Sequence, residues 1–388
     1  MNRYYFDHNA TTPVSSEVFE AMAPLLREDF GNASSIHYYG QRAKQHLETA
    51  RRQMAEAIHA QAQEIVFLSG GTEADNLALF GVVRNSAGPA KHVITTAIEH
   101  PAVLGACAQL EREGVAVTRV AVGPEGVADP TEIRRALRPT TVLISVMHAN
   151  NELGTVQPIA EIARIAHEAG ALFHSDGVQA LGKIPVDVAA LGVDLYSVTG
   201  HKIYAPKGEG ALFVRKGTAI GSIQFGGHHE RDRRPGTENV PGAVAFGAAA
   251  QWLIENGRVE AERLRGLRDR MEAAILHRVS GASVNGGDAP RTPNTASICF
   301  DGIRGEALVI ALDLRGFAVS SGAACSSGAV EPSHVLTAIG LNADRARGTI
   351  RFSLGRLNTA EQVEALVEAV AEAVVQLRRI APAEQAHA

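Results

Sequence analysis

The sequence predicts an α/β protein in which a large domain, built on a mostly parallel seven-stranded sheet with helices on both faces, is followed by a smaller α+β domain. Two observations carry this. Between about residues 50 and 220, seven short apolar runs (EIVFL, HVITT, AVTRVAV, TVLISVMH, ALFHSD, LYSVTG and GALFVR) alternate mostly with segments of helical pattern such as PIAEIARIAHEAG. Strands buried on both faces read as continuous apolar runs, and their alternation with helices is the signature of a parallel sheet. After about residue 257 the pattern turns to a charged helix, RVEAERLRGLRDRMEAAIL, then to shorter strands and a last helix, AEQVEALVEAVAEAVVQLRRI. The expected division assigns residues 14–256 to the large domain, and residues 1–13 with 257–388 to the small one.

Composition narrows the function. With 388 residues, 45% hydrophobic and 20% charged, the chain can bury one large core or two ordinary ones. Its 37 basic and 42 acidic residues leave a net charge of −5 and are mixed along the chain, so there is no electrostatic footprint for nucleic acid or an anionic membrane. The N-terminus MNRYYFDHNATTP has no apolar core of signal-peptide length, and no stretch reaches the roughly 18 apolar residues of a membrane span. A cytoplasmic protein is expected. The three cysteines form no CxxC pair and no metal-ligand spacing, and their odd number argues for free thiols and no metal. Cys107, in helical GACAQLEREG, and Cys299, in strand-like ASICF, read as small core residues. Cys325 lies in SSGAACSSGAVEPSH, a stretch too poor in large apolar residues to pack tightly, where a reactive thiol has access.

Ligands of such sheets bind beyond the carboxyl ends of the strands. SGGTEADN (Ser69 to Asn76) follows the first apolar run and precedes a helical pattern, so its glycines and helix N-terminus suit an anion, although a simple strand-to-helix turn uses the same residues. It lacks the GK[ST] ending of a nucleotide-triphosphate loop. HSDGVQA and SVTGHKIYAPKG each follow an apolar run and set Asp176 and Lys202 at neighbouring strand ends. The two residues read either as a structural ion pair or as the parts that Schiff-base chemistry needs: an amine for an aldehyde, a carboxylate to keep a pyridine nitrogen protonated, and hydroxyl, imidazole and backbone donors for a phosphate. By themselves, Arg351 reads as an internal ion pair in a strand, and His100, ahead of Pro101, as a helix-start residue. His92, His167, His174, His228, His229 and His334 are read as structural.

Taken in order, SGGTEADN, EHPAVL, HANNELGTVQPI, HSDGVQA, TGHKIYAPKG, GGHHERDRRPGTEN, SSGAACSSGAVEPSHVL and IRFSLGR resemble the motifs of cysteine desulfurases, most of all the nitrogen-fixation (NifS-like) type. The resemblance runs from DHNATTP at Asp7 to the final helices. It implies the fold type I architecture of pyridoxal-5′-phosphate (PLP) transferases, of the class V aminotransferase group. It further implies that Lys202 holds the cofactor's aldehyde, Asp176 pairs with the pyridine nitrogen, Gln179 bonds the ring oxygen, and His100 stacks on the ring and shuttles protons. The phosphate falls to Gly71, Thr72, Thr199 and His201, with Thr237 reaching in from the partner of a homodimer. Asn151 lies beside cofactor and substrate, Arg351 clamps the carboxylate of L-cysteine, and Cys325 takes the sulfur as a persulfide, leaving alanine. The sulfur is then expected to pass to an iron-sulfur scaffold protein, nitrogenase maturation being the implied use. Two departures stand out: Gly177 where most relatives have Ala, expected to loosen its turn, and Thr199 where many have Ser. A selenocysteine lyase, or another PLP-dependent lyase or aminotransferase, would share Lys202 and Asp176 and needs no covalent sulfur carrier, so Cys325 separates the two readings.

Overall fold

A computed structural model of the chain describes residues 3–321, 323–326 and 329–380, with the backbone alone for 323–326 and 329–331. Seven strands form the large sheet: β1 (Ile65–Leu68), β2 (His92–Thr96), β3 (Ala116–Val120), β4 (Thr141–Ser145), β5 (Leu172–Asp176), β6 (Leu195–Thr199) and β7 (Gly210–Val214). Their order is β1-β7-β6-β5-β4-β2-β3. Pairing is parallel from β3 through β6, and only β7 is reversed, antiparallel to both β6 and β1. Each strand falls on one of the seven apolar runs. The runs are continuous because both faces are covered, and every residue of β1, β2, β6 and β7 is buried.

Six helices cover the sheet or carry the chain into the second core: α1 (Tyr38–Ala57), α2 (Gly71–Asn85), α3 (Pro101–Arg112), α4 (Ile159–Glu168), α5 (Val240–Arg278) and α6 (Ala360–Ile380). One face of the sheet packs on α1, α4 and the first turns of α5 through Leu47, Met54, Ile162 and Phe246. The other packs on α2 and α3 through Leu77, Val103, Cys107 and Leu110. A second core, with Phe6, Met271, Ile298, Phe352, Leu366 and Val370, lies between the end of α5, α6 and a four-stranded antiparallel sheet. That sheet comprises β8 (Ala282–Val284), β9 (Thr295–Phe300), β10 (Ser320–Ser321) and β11 (Thr349–Ser353), in the order β10-β11-β9-β8. Cys107 and Cys299 are both fully buried, in α3 and β9.

The change of composition near residue 257 is not a linker. It falls inside α5, an unbroken helix of 39 residues, whose turns at 251–263 are half-buried or exposed where it leaves one core for the other. The N-terminal segment crosses the same seam. Tyr4–Tyr5 pairs with Phe317–Ala318, Phe6 enters the second core, and the Thr12 N–H donates to the His201 carbonyl, 2.9 Å away, beside β6. The Cys325 stretch pairs its backbone in a hairpin, Ala323–Ser326 with Ala329–Pro332. The Cys325 side chain lies outside the described residues.

Gly177 is not a loosened turn. A Cβ at this position would overlap the ring of Tyr196, which is fully buried and hydrogen-bonded through its hydroxyl to His148 Nδ1 at 2.7 Å. The large ring on β6 occupies the space of the missing methyl. Gly177→Ala is therefore an overpacking substitution expected to cost about 1–3 kcal/mol in denaturant unfolding, and Gly177→Ala with Tyr196→Leu should cost less than the two single changes together. Unchanged stability in Gly177→Ala would contradict this packing.

Candidate active site

At the carboxyl ends of β4, β5 and β6, the start of α2 and the N-terminal crossing segment enclose a cavity of about 400 Å³. Ten residues singled out in the sequence line it together: Gly71, Thr72, His100, Asn151, Asp176, Gln179, Thr199, His201, Lys202 and Arg351. Thr237 does not; it is exposed on the loop before α5.

The strands position the central pair. Asp176 ends β5 and Lys202 follows β6 by three residues, so parallel pairing of these neighbours brings both to one side of the cavity. Asp176 is buried and accepts from the Val178 N–H at 2.9 Å. Burial raises its pKa, against the pull of His100, the Val178 N–H and Lys202. The Lys202 amine donates to the carbonyls of Asn9 at 2.5 Å and Ala10 at 2.7 Å. Burial, with Arg351 nearby, brings its pKa down to about 8, while Asp7 and Asp176 oppose the shift.

α2 begins at Gly71, five residues before the apolar pattern Asn76–Val83, because its first turn is polar and gives no periodic signal. Its free N–H groups and dipole make that end of the cavity suit an anion. Gly71 is needed there, since a Cβ would stand 2.8 Å from Val178 Cγ2. Thr199, expected at an anion, instead donates its hydroxyl proton to the Glu209 carbonyl at 2.8 Å. His201 is neutral near pH 7, burial and the amines of Lys202, Lys207 and Lys183 pushing it down to about 4.

His100 caps α3, its Nδ1 accepting from the Ala102 N–H at 3.2 Å. Burial lowers its pKa, opposed by Asp176 and assisted by Lys202 and His334. A neutral ring whose Nδ1 accepts carries its proton on Nε2. Arg351, on β11, makes the ion pair allowed by the sequence, Nη2 to Asp7 Oδ1 at 2.8 Å, while Nη1 donates to the Asn151 carbonyl at 3.0 Å. Its Nε has no partner.

Several lining or supporting residues carry no local sequence signal. Asn9 lies in DHNATT and Asp75 in the first turns of α2; Asp75 is 1% exposed, its Oδ1 without a hydrogen-bond partner, and burial and the Asp176 charge raise its pKa. Glu99 is likewise pushed up to about 8 by burial. His174, read as structural, is buried between the Ser145 and Ser197 hydroxyls at 2.8 and 2.9 Å. Among the described residues no cluster of His, Cys, Asp and Glu could hold a metal.

Comparison with known proteins sets this geometry in a class. The model of the class-V aminotransferase family matches residues 4–366. Cysteine desulfurase IscS of Dictyoglomus turgidum is 46% identical over 381 residues, 98% of this chain and 97% of that protein. The cysteine desulfurase of Gluconacetobacter diazotrophicus is 45% identical over 384 residues, 98% and 96% of the two chains. Among solved structures, a NifS-like protein superposes with a TM-score of 0.91 at 36% identity, covering 97% of this chain and all of that one (100%). A structure of SspA in complex with cysteine gives 0.81 at 36% identity, with 90% and 98% covered. The chain belongs to the class-V aminotransferase family, a family of PLP-dependent enzymes. Within it, near-full-length identity of 45–46% makes it one of the cysteine desulfurases.

The residues present fit PLP. The cavity offers an amine near neutrality, a buried carboxylate whose pKa burial raises and a cationic ring nitrogen would draw back down, and a helix N-terminus for a phosphate. In cofactor-free protein, capture of Lys202 by a small aldehyde, trapped by reduction and located by peptide mass, is expected to rise with pH around a midpoint near 8. A midpoint near the ordinary lysine value of about 10.4 would contradict the desolvated amine. Because the folded value lies below the unfolded one, the folded state binds fewer protons between them. The cost of this buried charge is thus full below pH 8 and is relieved as pH rises through that window.

Proposed function

We propose that Lys202, Asp176, Gln179, His100 and Arg351 form the working site of a cysteine desulfurase that moves sulfur from L-cysteine to Cys325 and leaves L-alanine. One observation carries this reading: amine, carboxylate, imidazole, guanidinium and helix N-terminus converge on one cavity. Bound PLP supplies an electron-accepting ring for the bond cleavage at the substrate Cα. Lys202 holds the cofactor at rest through its Nζ and, once displaced by substrate, takes the α-proton; with a pKa of about 8 it is poised to hold or release a proton near neutral pH. Asp176 would pair with the ring nitrogen and Gln179 with the ring oxygen, and the His100 ring would lie against the cofactor with its Nε2 proton available. Gly71, Thr72, Thr199 and His201 would receive the phosphate, Thr199 by turning its hydroxyl from Glu209.

Arg351 clamps the substrate carboxylate, with Asn151 beside it; its unpartnered Nε and the paired Nη2 point to an exchange in which substrate displaces Asp7. The Cys325 thiolate then attacks the substrate sulfur. A sulfur–sulfur bond forms, the carbon–sulfur bond breaks with its electron pair left on the substrate, the β-carbon takes up a proton, and the α-carbon regains the proton that Lys202 removed, giving alanine.

The enzyme acts as a homodimer in which Thr237 completes the partner's phosphate site. This is supported by the exposure of Thr237 outside its own cavity and by apolar side chains within residues 19–39, with Phe19, Leu26, Phe30 and Ile36 between 59% and 90% exposed. The sulfur acceptor is an iron-sulfur scaffold protein, nitrogenase maturation being the intended use, and the reaction runs in the cytoplasm. Among the described residues no helix is long and apolar enough to cross a membrane.

Incubation with cysteine and no reductant should add one sulfur to the peptide carrying Cys325. Cys325→Ala should keep the cofactor's visible absorbance and lose alanine formation by at least about 100-fold, the scale of losing a nucleophile. Sulfur on Cys107 or Cys299, or full alanine formation by Cys325→Ala with a dithiol present, would overturn the assignment in favour of a lyase.

A further inference from the structure

One buried amine beside the site is left without a role. Lys183 follows Gln179 by four residues in the turns after β5 and is 8% exposed. Its Nζ donates to two neutral amides, Asn9 Oδ1 at 3.0 Å and Gln179 Oε1. The charged and titratable groups that share its surroundings are Lys202 and Arg351, which with burial lower its pKa, and the imidazoles of His8 and His201, which feel its charge.

A lysine ammonium has three N–H donors and no acceptor, so it fixes which end of a carboxamide faces it. The Gln179 oxygen is turned to Lys183, and Gln179 Nε2 must face the opposite way, where it donates to the Asn9 carbonyl at 3.0 Å. That carbonyl also receives the Lys202 amine, at the edge of the cavity. Asn9 cannot flip to undo the arrangement. Its Nδ2 donates to Thr295 Oγ1 at 2.8 Å and the Asn151 carbonyl at 3.1 Å, leaving Oδ1 as the acceptor for Lys183 and Asn294.

We propose that Lys183 is a positioning residue that locks the Gln179 carboxamide with its N–H₂ toward the cavity, so that the cofactor's ring oxygen always meets a donor. The proposal rests on the assignment of Gln179 to that oxygen. Without Lys183 the carboxamide is free to turn over and set its own oxygen against an anionic one. The ring oxygen then loses a stabilising hydrogen bond, becomes more basic, and the bound cofactor holds its titrating proton more tightly.

The measurement is the pH midpoint of the visible absorbance change of the holoenzyme. Lys183→Met and Gln179→Ala are each expected to raise the midpoint by about 0.5–1 unit, the size of one hydrogen bond, and the double variant no further than the larger single. Lys183→Leu is a second apolar replacement should Lys183→Met misfold. Lys183→Arg, which keeps a donor, should return at least half of the shift. An unshifted midpoint in the apolar variants overturns the proposal, as do shifts that add in the double variant, since a through-space charge effect would not need Gln179. An unshifted midpoint in Gln179→Ala alone removes the parent assignment of Gln179, and the proposal with it, whatever Lys183→Met does.

Discussion

The site depends on one buried asparagine. Asn9 is 2% exposed and every polar group it carries is engaged. Its N–H donates to Ser353 Oγ and its carbonyl accepts from Lys202 and Gln179. Its side chain joins Lys183 and Asn294 through oxygen, and Thr295 and Asn151 through nitrogen. These partners come from the loops after β4, β5 and β6 on one side, and from β9, β11 and the turn before β9 on the other. A buried polar group stripped of its partner costs about 1–3 kcal/mol. The two cores are thereby committed to one relative placement at the cavity, and Lys202 is held in place before any ligand enters.

Burial then sets the charges. Asp176, Asp75 and Glu99 are all raised by desolvation, while Lys202, Lys183 and His201 are lowered by it. Each side of the cavity thus drifts toward neutrality on its own, since an isolated buried charge is costly. A ligand with a cationic ring nitrogen at one end and a phosphate at the other reverses this, because each group meets an opposite charge that desolvation had suppressed. The Arg351 guanidinium is paired with Asp7 at 2.8 Å before any ligand enters.

The sheet was legible in the sequence because strands covered by helices are rich in apolar residues: all seven runs carry such a stretch, and their ends located Asp176 and Lys202. Much of the support around them was not. Asn9 meets Ser353 and Thr295 across 344 and 286 residues of chain, and such contacts leave no period to read. The α2 start was masked by its polar first turn, and the continuity of α5 by its exposed middle. The role of Gly177 was hidden because it lies in Tyr196, the residue that fills the vacated volume from the next strand. Lys183 did leave a trace, a spacing of four from Gln179, but a spacing acquires meaning only once the segment is known to turn as a helix does.

Two choices posed by the sequence are dissolved by the geometry. His100 read either as a helix-start residue or as a chemical group, and the hydrogen bond that makes it a cap also sets its chemistry. With Nδ1 bound to the Ala102 N–H, the proton of the neutral ring must sit on Nε2, the atom directed away from the helix. A ring free of the helix could adopt either tautomer, and part of its population would then present the wrong atom. Arg351 read either as an ion pair or as a clamp, and the pair with Asp7 holds its guanidinium in one orientation. In both residues the structural contact fixes how the side chain is oriented, and on Arg351 it leaves Nε without a partner.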